Sequence, residues 1–301
     1  MQKILLFIAS LFYFNSLFAK DEIKSWQGIH ETPLSRLEQQ FAEPPVEFAN
    51  HVIWGWQGKM DKKTICNDLH SIKKKGFRAV IFEAGYKLPF KYLSEEWFKA
   101  IRTGVLEAKK RGMKVWIIDE GKYPSGFAGG KFSQERPDLR MQALVIGDTI
   151  QIKRGEVMTN HKIAPEIISA VAVSTSGAPN RTVEINNGKI SFNAGLDDWK
   201  ILLVKSDFRT AVTRAVNNPN GGKDATNSLC DYLNPVAVQQ FIDWTHEQYK
   251  KYLGKELGTT VLGFRGDEPD YAHLPWTPSI VQTFKDTKGY DPTPYLASFF
   301  T

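Results

Sequence analysis

Three apolar runs, HVIWGW (51–56), FRAVIF (77–82) and MKVWII (113–118), alternate with two helical patterns, and this alternation restricts the fold more than any other feature. Each run is short and apolar at successive positions, as in a parallel strand covered on both faces. After the first, Asp61 can cap a helix that carries Ile65, Leu69 and Ile72 on one face and stops at Gly76. After the second, Ser94 caps a helix with Glu95 and Glu96 in its first turn. Its buried stripe is Trp97, Ile101, Val105 and Ala108, and Gly112 ends it. A strand–helix–strand repeat of about 35 residues builds βαβ units and a parallel sheet.

The pattern then changes. Residues 141–206 hold β-rich runs (ALVIGDTIQI, IISAVAVS, TVEINNGKISF, WKILLVKS) broken at Ser176-Gly177 and Asn186-Asn187-Gly188, which predicts an antiparallel insertion. Residues 207–231 are Asn/Gly-rich and read as a long surface loop. Asn234-Pro235 opens one further helix, with Phe241, Ile242, Thr245, Tyr249 and Leu253 on one face and Gly254 at its end. A strand at 260–264 and a helix over 277–288 follow. The predicted class is α/β, a (β/α)₈ TIM-type barrel with about four of its eight strands present and the β-rich insertion after the third. The expected divisions are a signal peptide (1–19), a polar lead (20–48), the first part of the barrel (49–140), the insertion (141–206) and a truncated continuation (207–301). On this reading the chain is a fragment of a longer enzyme, a shortened reading frame, or half of something that pairs.

Met1-Gln2-Lys3 is a short basic start, Ile4 to Phe14 is apolar apart from Ser10, and Ala19 precedes charged Lys20-Asp21-Glu22. That is the layout of a secretory signal, and the apolar stretch is shorter than the roughly 20 residues a spanning helix needs. Export to the periplasm or medium is expected, with no stable membrane insertion after cleavage. The net charge is +6, but the basic clusters 73–75 and 109–111 fall at predicted helix ends, so nucleic acid is not expected as a partner. Cys66 and Cys230 are the two cysteines. A disulfide is conceivable in an exported chain, but Cys66 lies on a helical apolar stripe and reads better as a buried thiol.

Two acidic dipeptides close apolar runs. Asp119-Glu120 follows MKVWII and leads into GKYPSGFAGG; Asp267-Glu268 follows TTVLGFRG and leads into PDYAHLPW. Acids at the C-terminal ends of parallel strands sit where barrels place their chemistry. Two such sites also meet the demand of glycosidic cleavage for one acid and one base or nucleophile. Glu268 is the first candidate, against the alternative of a loop acid that caps the next helix or binds Arg265. Glu120 is its proposed partner, with Asp119 behind it. Neighbours on an extended strand point to opposite sides, so within each pair one acid orients its neighbour or a metal.

Tyr123 and Ser125, in YPSG, offer an aromatic face and a hydroxyl to a sugar. Glu83, closing the second strand, can contact a sugar hydroxyl, or pair with Lys87 or Arg78. Of Trp54 and Trp56, at least one belongs to the core, and Trp56 is kept as a sugar contact. Trp276, in LPWTP, is the better stacking candidate, and His246 reads as an ordinary helix residue. Six His residues without a metal-spaced motif argue against zinc, and calcium held by Asp, Glu and carbonyl oxygens stays open. GFAGG is not a nucleotide fingerprint, and no organic cofactor is expected.

PPVEF…WGW, LHSIKKKGFRAV, WIIDEGKYPSGFAGG, DYLNPVAVQQFIDWTHEQYKKYLG and GFRGDEPDY…LPWTPS, in this order from about Pro44 to Tyr290, resemble the bacterial glycoside hydrolases of the family 106 α-L-rhamnosidase type. The resemblance implies a barrel-borne site and an exported enzyme cleaving glycosidic bonds in polysaccharide side chains, with inversion and with help from calcium. It places an acid/base residue at Glu268. The rival expectation is a shortened, non-catalytic product that binds carbohydrate.

Overall fold

A computed structural model describes residues 33–43, 50–85, 87–121, 123–209, 212–215, 218–223, 228–268 and 274–301. The expected signal peptide lies outside them, as do most of the polar lead and residues 269–273. The chain divides into two units, 1–50 and 51–301. In the first, helix α1 (Leu34–Ala42) is described. Everything below concerns the second.

Strands β1 (His51–Trp56), β2 (Ala79–Ala84) and β3 (Lys114–Ile118) are linked by helices α2 (Lys62–Lys74) and α3 (Glu95–Lys110). The predicted caps form: Asp61 Oδ1 accepts from Thr64 N at 2.8 Å, and Ser94 Oγ from Trp97 N at 3.3 Å. Each cap satisfies a donor that the first helical turn leaves unpaired. Later in the chain, β12 (Val261–Arg265) pairs parallel with β3, giving a four-stranded parallel sheet in the order β1-β2-β3-β12. Neighbours in sequence of type are neighbours in space, so all four carboxyl ends lie along one rim.

The core beneath this sheet is aromatic. Trp56, Phe82, Trp97 and Tyr249 are fully buried among Ile101, Val105, Val115, Ile117 and Val261. Trp97 Nε1 donates to Tyr249 Oη at 2.9 Å, tying α3 to a later helix. Gly104 lets α3 approach β2: a Cβ there would lie 2.9 Å from the Phe82 ring. Trp56 rings lie 5.1 Å from Phe82 and 5.6 Å from Trp97. Trp56 is therefore a core residue, not a sugar contact; β1 turns it into the layer under the sheet, where no ligand reaches it.

After β3 comes a loop holding a short helix, α4 (Lys131–Glu135), and then the β-rich part. It comprises β4 (Gln142–Ile152), β5 (Val157–Lys162), β6 (Ile167–Ser174), β7 (Arg181–Thr182), β8 (Lys189–Asn193) and β9 (Trp199–Phe208). The larger sheet is antiparallel, with β9 between β4 and β6, and β5 pairs with β8 separately. On β9, Ile201 and Leu203 pack with Trp199, Phe192 and Ile190, whereas Leu202 and Val204 pack with Leu144, Val171 and Leu296. Alternate residues enter different cores because side chains alternate along a strand. That is why ILLV reads as an unbroken apolar run.

Two sequence expectations need correction. The Asn/Gly-rich segment 207–231 is not a single loop: β9 runs to Phe208, and β10 (Val212–Ala215) pairs antiparallel with β11 (Asn218–Lys223). Backbone pairing of a hairpin overrides the poor strand propensity of NPNGGK. The helix expected over 234–253 is two helices, α5 (Pro235–Trp244) and α6 (His246–Leu253). They break at Thr245, whose φ and ψ of −116° and −82° are not helical. The Thr245 hydroxyl donates to Phe241 O at 2.6 Å, a local bond that competes with the helix ladder. Strand β13 (Pro275–Trp276) returns to pair with β4, and helix α7 (Ile280–Lys288) follows. Trp276 packs there with Leu144, Val204 and Leu296 and is 6% exposed. It is a core residue of the antiparallel sheet, not a stacking platform in the loop beside Glu268.

Cys66 and Cys230 are both free thiols; Cys230 is the buried one, and Cys66 is half-buried. Among the described residues no helix is long and apolar enough to cross a membrane.

Candidate active site

The carboxyl-end rim of the parallel sheet gathers acids from three adjacent strands. Glu83 closes β2, Asp119-Glu120 follow β3, and Asp267-Glu268 follow β12. Parallel pairing sets this up: Arg265 is in register with Ile118, so the residues after them leave the sheet side by side. Asp119 N donates to Arg265 O at 3.2 Å, extending the ladder one step beyond the strands.

Ser125 joins the two acidic loops. Its hydroxyl donates to Asp119 Oδ1 at 2.7 Å and accepts from Asp267 N at 2.7 Å, while its own N–H donates to Asp267 O at 2.9 Å. Tyr232 Oη donates to the Ser125 carbonyl and holds the turn from the other side. The hydroxyl read as a sugar contact is thus committed to the protein itself.

Tyr123 Oη donates to Glu268 Oε2. Glu268 is exposed and has φ +20°, at the edge of the left-handed region that non-glycine residues seldom adopt. Asp267 is half-buried, with Arg265 3.9 Å away. Glu83 is half-buried beside Gly55, where a Cβ would stand 3.6 Å from its Oε2. Burial raises the proton affinity of Glu83; Asp267 raises it further and Arg265 opposes. Arg78, weighed as its partner, donates instead to the carbonyls of Lys73 and Phe77.

Glu120 differs from the rest. It is 2% exposed, and both its oxygens are taken by backbone of its own loop. Oε1 accepts from Gly121 N at 2.7 Å and Gly129 N at 2.9 Å; Oε2 accepts from Ala128 N at 2.7 Å and Gly126 N at 3.3 Å. Burial pushes its carboxyl up to about 7, against the opposing pull of these N–H groups. The carboxylate folds the GKYPSGFAGG loop around itself and turns no free oxygen to the rim.

His246, read from the sequence as an ordinary helix residue, reaches this site. Its Nε2 is 3.8 Å from Asp119 Oδ2, and its ring stands edge-on to Phe264 at 4.5 Å. The break at Thr245 puts it on the first turn of α6, and a TH pair inside a helical pattern gave no sign of this. Burial lowers its proton affinity, opposed by Asp119 and Glu247. Burial likewise raises that of Asp119, opposed by the Ser125 and His246 contacts.

Among the described residues no three His, Cys, Asp or Glu side chains are grouped to hold a metal ion.

The profile of the α-L-rhamnosidase family of glycoside hydrolases matches residues 162–300. The matched stretch, a little under half of the chain, is similar to family 106 glycoside hydrolases. The match takes in His246, Asp267 and Glu268, while Glu83, Asp119 and Glu120 precede it. A curated protein of Formosa agariphila named "Putative beta-glucuronidase" is 23% identical over 313 aligned residues, covering 87% of this chain and 26% of that protein. A solved rhamnosidase from Novosphingobium sp. PP1Y shares the fold with a TM-score of 0.53 at 12% identity, covering 88% of this chain and 42% of the other. The chain thus spans about a quarter of that curated relative and under half of that solved structure. The comparisons do not favour the non-catalytic alternative.

Proposed function

We propose that this chain forms part of the active site of an exported glycoside hydrolase, built on a (β/α)₈ barrel, that cleaves α-L-rhamnosidic bonds in polysaccharide side chains with inversion. The observation that carries the proposal is the convergence of Glu83, Asp119, Asp267 and Glu268 on one strand-end rim, in a chain whose residues 162–300 match that family's profile. Glycoside hydrolysis needs a protonated acid beside the leaving oxygen and an ionised carboxylate on the opposite side of the sugar.

Glu268 is the partner on the opposite side of the sugar. It is exposed, and Tyr123 Oη donates to its Oε2. As general base it would take a proton from the attacking water. Glu83 is the acid. Burial and the neighbouring Asp267 keep its proton on to higher pH, and among the described residues no hydrogen bond competes for its oxygens as Ser125 does for Asp119. Its proton passes to the leaving oxygen as the glycosidic bond breaks. Asp267 and Asp119, braced through Ser125, hold the two loops in register, and Glu120 shapes the loop that presents Tyr123 to Glu268. Inversion requires the two working carboxyls to stand about 6.5–9.5 Å apart, with water between.

The test is hydrolysis of an aryl α-L-rhamnoside and, because of the glucuronidase-named relative, an aryl β-D-glucuronide, with proton NMR of the first-formed anomer. Wild type should release an inverted sugar, and E268Q should lose at least about 100-fold in kcat. Turnover that survives both E268Q and E83Q would reject these assignments, and a retained anomer would reject inversion.

A further inference from the structure

We infer that Asp119 and His246 hold one proton between them, which makes His246 a positioning residue for the acidic rim. The inference rests on the reading of this rim as a glycosidase site, but its geometry is independent of turnover. Two hydrogen-bond chains of fixed direction meet at this pair.

The first chain starts at Asp267 N–H, which can only donate. Ser125 Oγ accepts that bond at 2.7 Å and sends its own hydrogen to Asp119 Oδ1 at 2.7 Å. The second chain ends at the Phe241 carbonyl, which can only accept. Thr245 Oγ1 donates to it at 2.6 Å. With that hydrogen committed, Thr245 Oγ1 can only accept from His246 Nδ1, 2.9 Å away. Nδ1 therefore carries a hydrogen. A neutral imidazole protonated at Nδ1 presents a lone pair at Nε2. That lone pair faces Asp119 Oδ2 across 3.8 Å. Without a further proton, two acceptors would oppose each other in a largely buried place, which is costly. One proton on either atom resolves the conflict, giving a neutral acid beside a neutral ring or a carboxylate beside an imidazolium.

The surroundings bring the two forms closer in energy. Burial raises the proton affinity of Asp119 and lowers that of His246, so the two approach each other. The charged groups facing the pair are Asp267 from the loop after β12, Glu120 behind Asp119, and Glu247 on the same helix. Phe264 and Phe241, with ring centroids 4.5 and 5.8 Å away, limit rotation of the imidazole. In either form the pair is neutral overall. Losing the shared proton would place a net negative charge beside Asp267, whose own charge already raises the proton affinity of Glu83. His246 thereby keeps one carboxylate of the rim from adding to the negative field without removing it from the network.

The experiment is long-range proton–nitrogen NMR of the full chain with ¹⁵N-labelled histidine, followed against pH, with the ring assigned by H246Q. The expected neutral form is the Nδ1–H tautomer. In D119N the side-chain amide can donate to Nε2 without any extra proton, so the His246 titration should fall by about one pH unit or more. T245V should remove the tautomer preference, and T245S should restore it. A neutral ring protonated at Nε2 in wild type, or a titration that D119N leaves unmoved, would overturn the inference. If D119N loses its folded circular dichroism, the T245V and T245S pair decides alone. Because no step of this readout needs hydrolysis, loss of the glycosidase reading and loss of the shared proton are separate results.

Discussion

Glu120 permits a stability prediction that does not depend on the sugar. Its carboxyl is enclosed by its own loop and raised from 4.5 to about 7 by burial. A folded-state proton affinity above the unfolded one means that folding favours the protonated acid. Stability from this group is therefore fully present below the unfolded value near 4.5 and is lost as pH rises towards 7. Each tenfold in proton affinity is worth about 1.4 kcal/mol, so the full loss is about 3 kcal/mol. E120Q keeps the shape of the neutral acid and cannot ionise. At pH 4.5 the acid brings one O–H into the ring of N–H groups and the amide two N–H donors, so the variant should be less stable than wild type by about 1–3 kcal/mol. At pH 8 the variant should have gained about 3 kcal/mol relative to wild type. The assay is urea unfolding by circular dichroism for both proteins at both pH values; other titrating groups cancel in the difference. If the gap between the proteins is the same at both pH values, the four N–H groups outweigh burial, Glu120 is ionised throughout, and the reasoning fails.

Y123F removes the donor to Glu268 and leaves the ring in place; kcat on the substrate that proves active should drop about 10-fold or more with little change in unfolding midpoint. W56A empties a fully buried position among Phe82 and Trp97 and should cost about 3–5 kcal/mol in urea unfolding, whereas a sugar-contacting Trp would show its loss in KM. G126A should destabilise by more than about 1 kcal/mol and disturb Tyr232, because Gly126 has φ +123° and an added Cβ would lie 2.7 Å from Tyr232 Oη. A melting scan that finds G126A unchanged would show that the turn can rebuild.

The parallel sheet was legible because strands buried on both faces leave unbroken apolar runs, and the helices between them announced their caps at Asp61 and Ser94. The acidic strand ends were legible for the same reason: a charge that stops a buried strand must sit at its rim. What the two acids of a pair do was not. Asp119 and Glu120 are adjacent letters, yet one reaches Ser125 and His246 while the other is enclosed by four backbone N–H groups contributed from as far on as Gly129. Loop closure of that kind leaves no periodic trace. Trp56 and Trp276 misled because an aromatic ring near an acid looks alike in sequence whether it lines a subsite or a core. The break at Thr245 escaped because Thr is tolerated within helices, and the hydroxyl bond that ends this one depends on the tertiary place it occupies.

Glu268 occupies a span fastened at both ends to different sheets: Arg265 is laddered into the parallel layer, and Pro275 and Trp276 are stitched to β4 of the antiparallel one. The strand pair that carries Trp276 shares its core with Leu202 and Val204, so a substitution at Leu202 reaches the segment on the far side of Glu268 through packing rather than through any contact with a sugar.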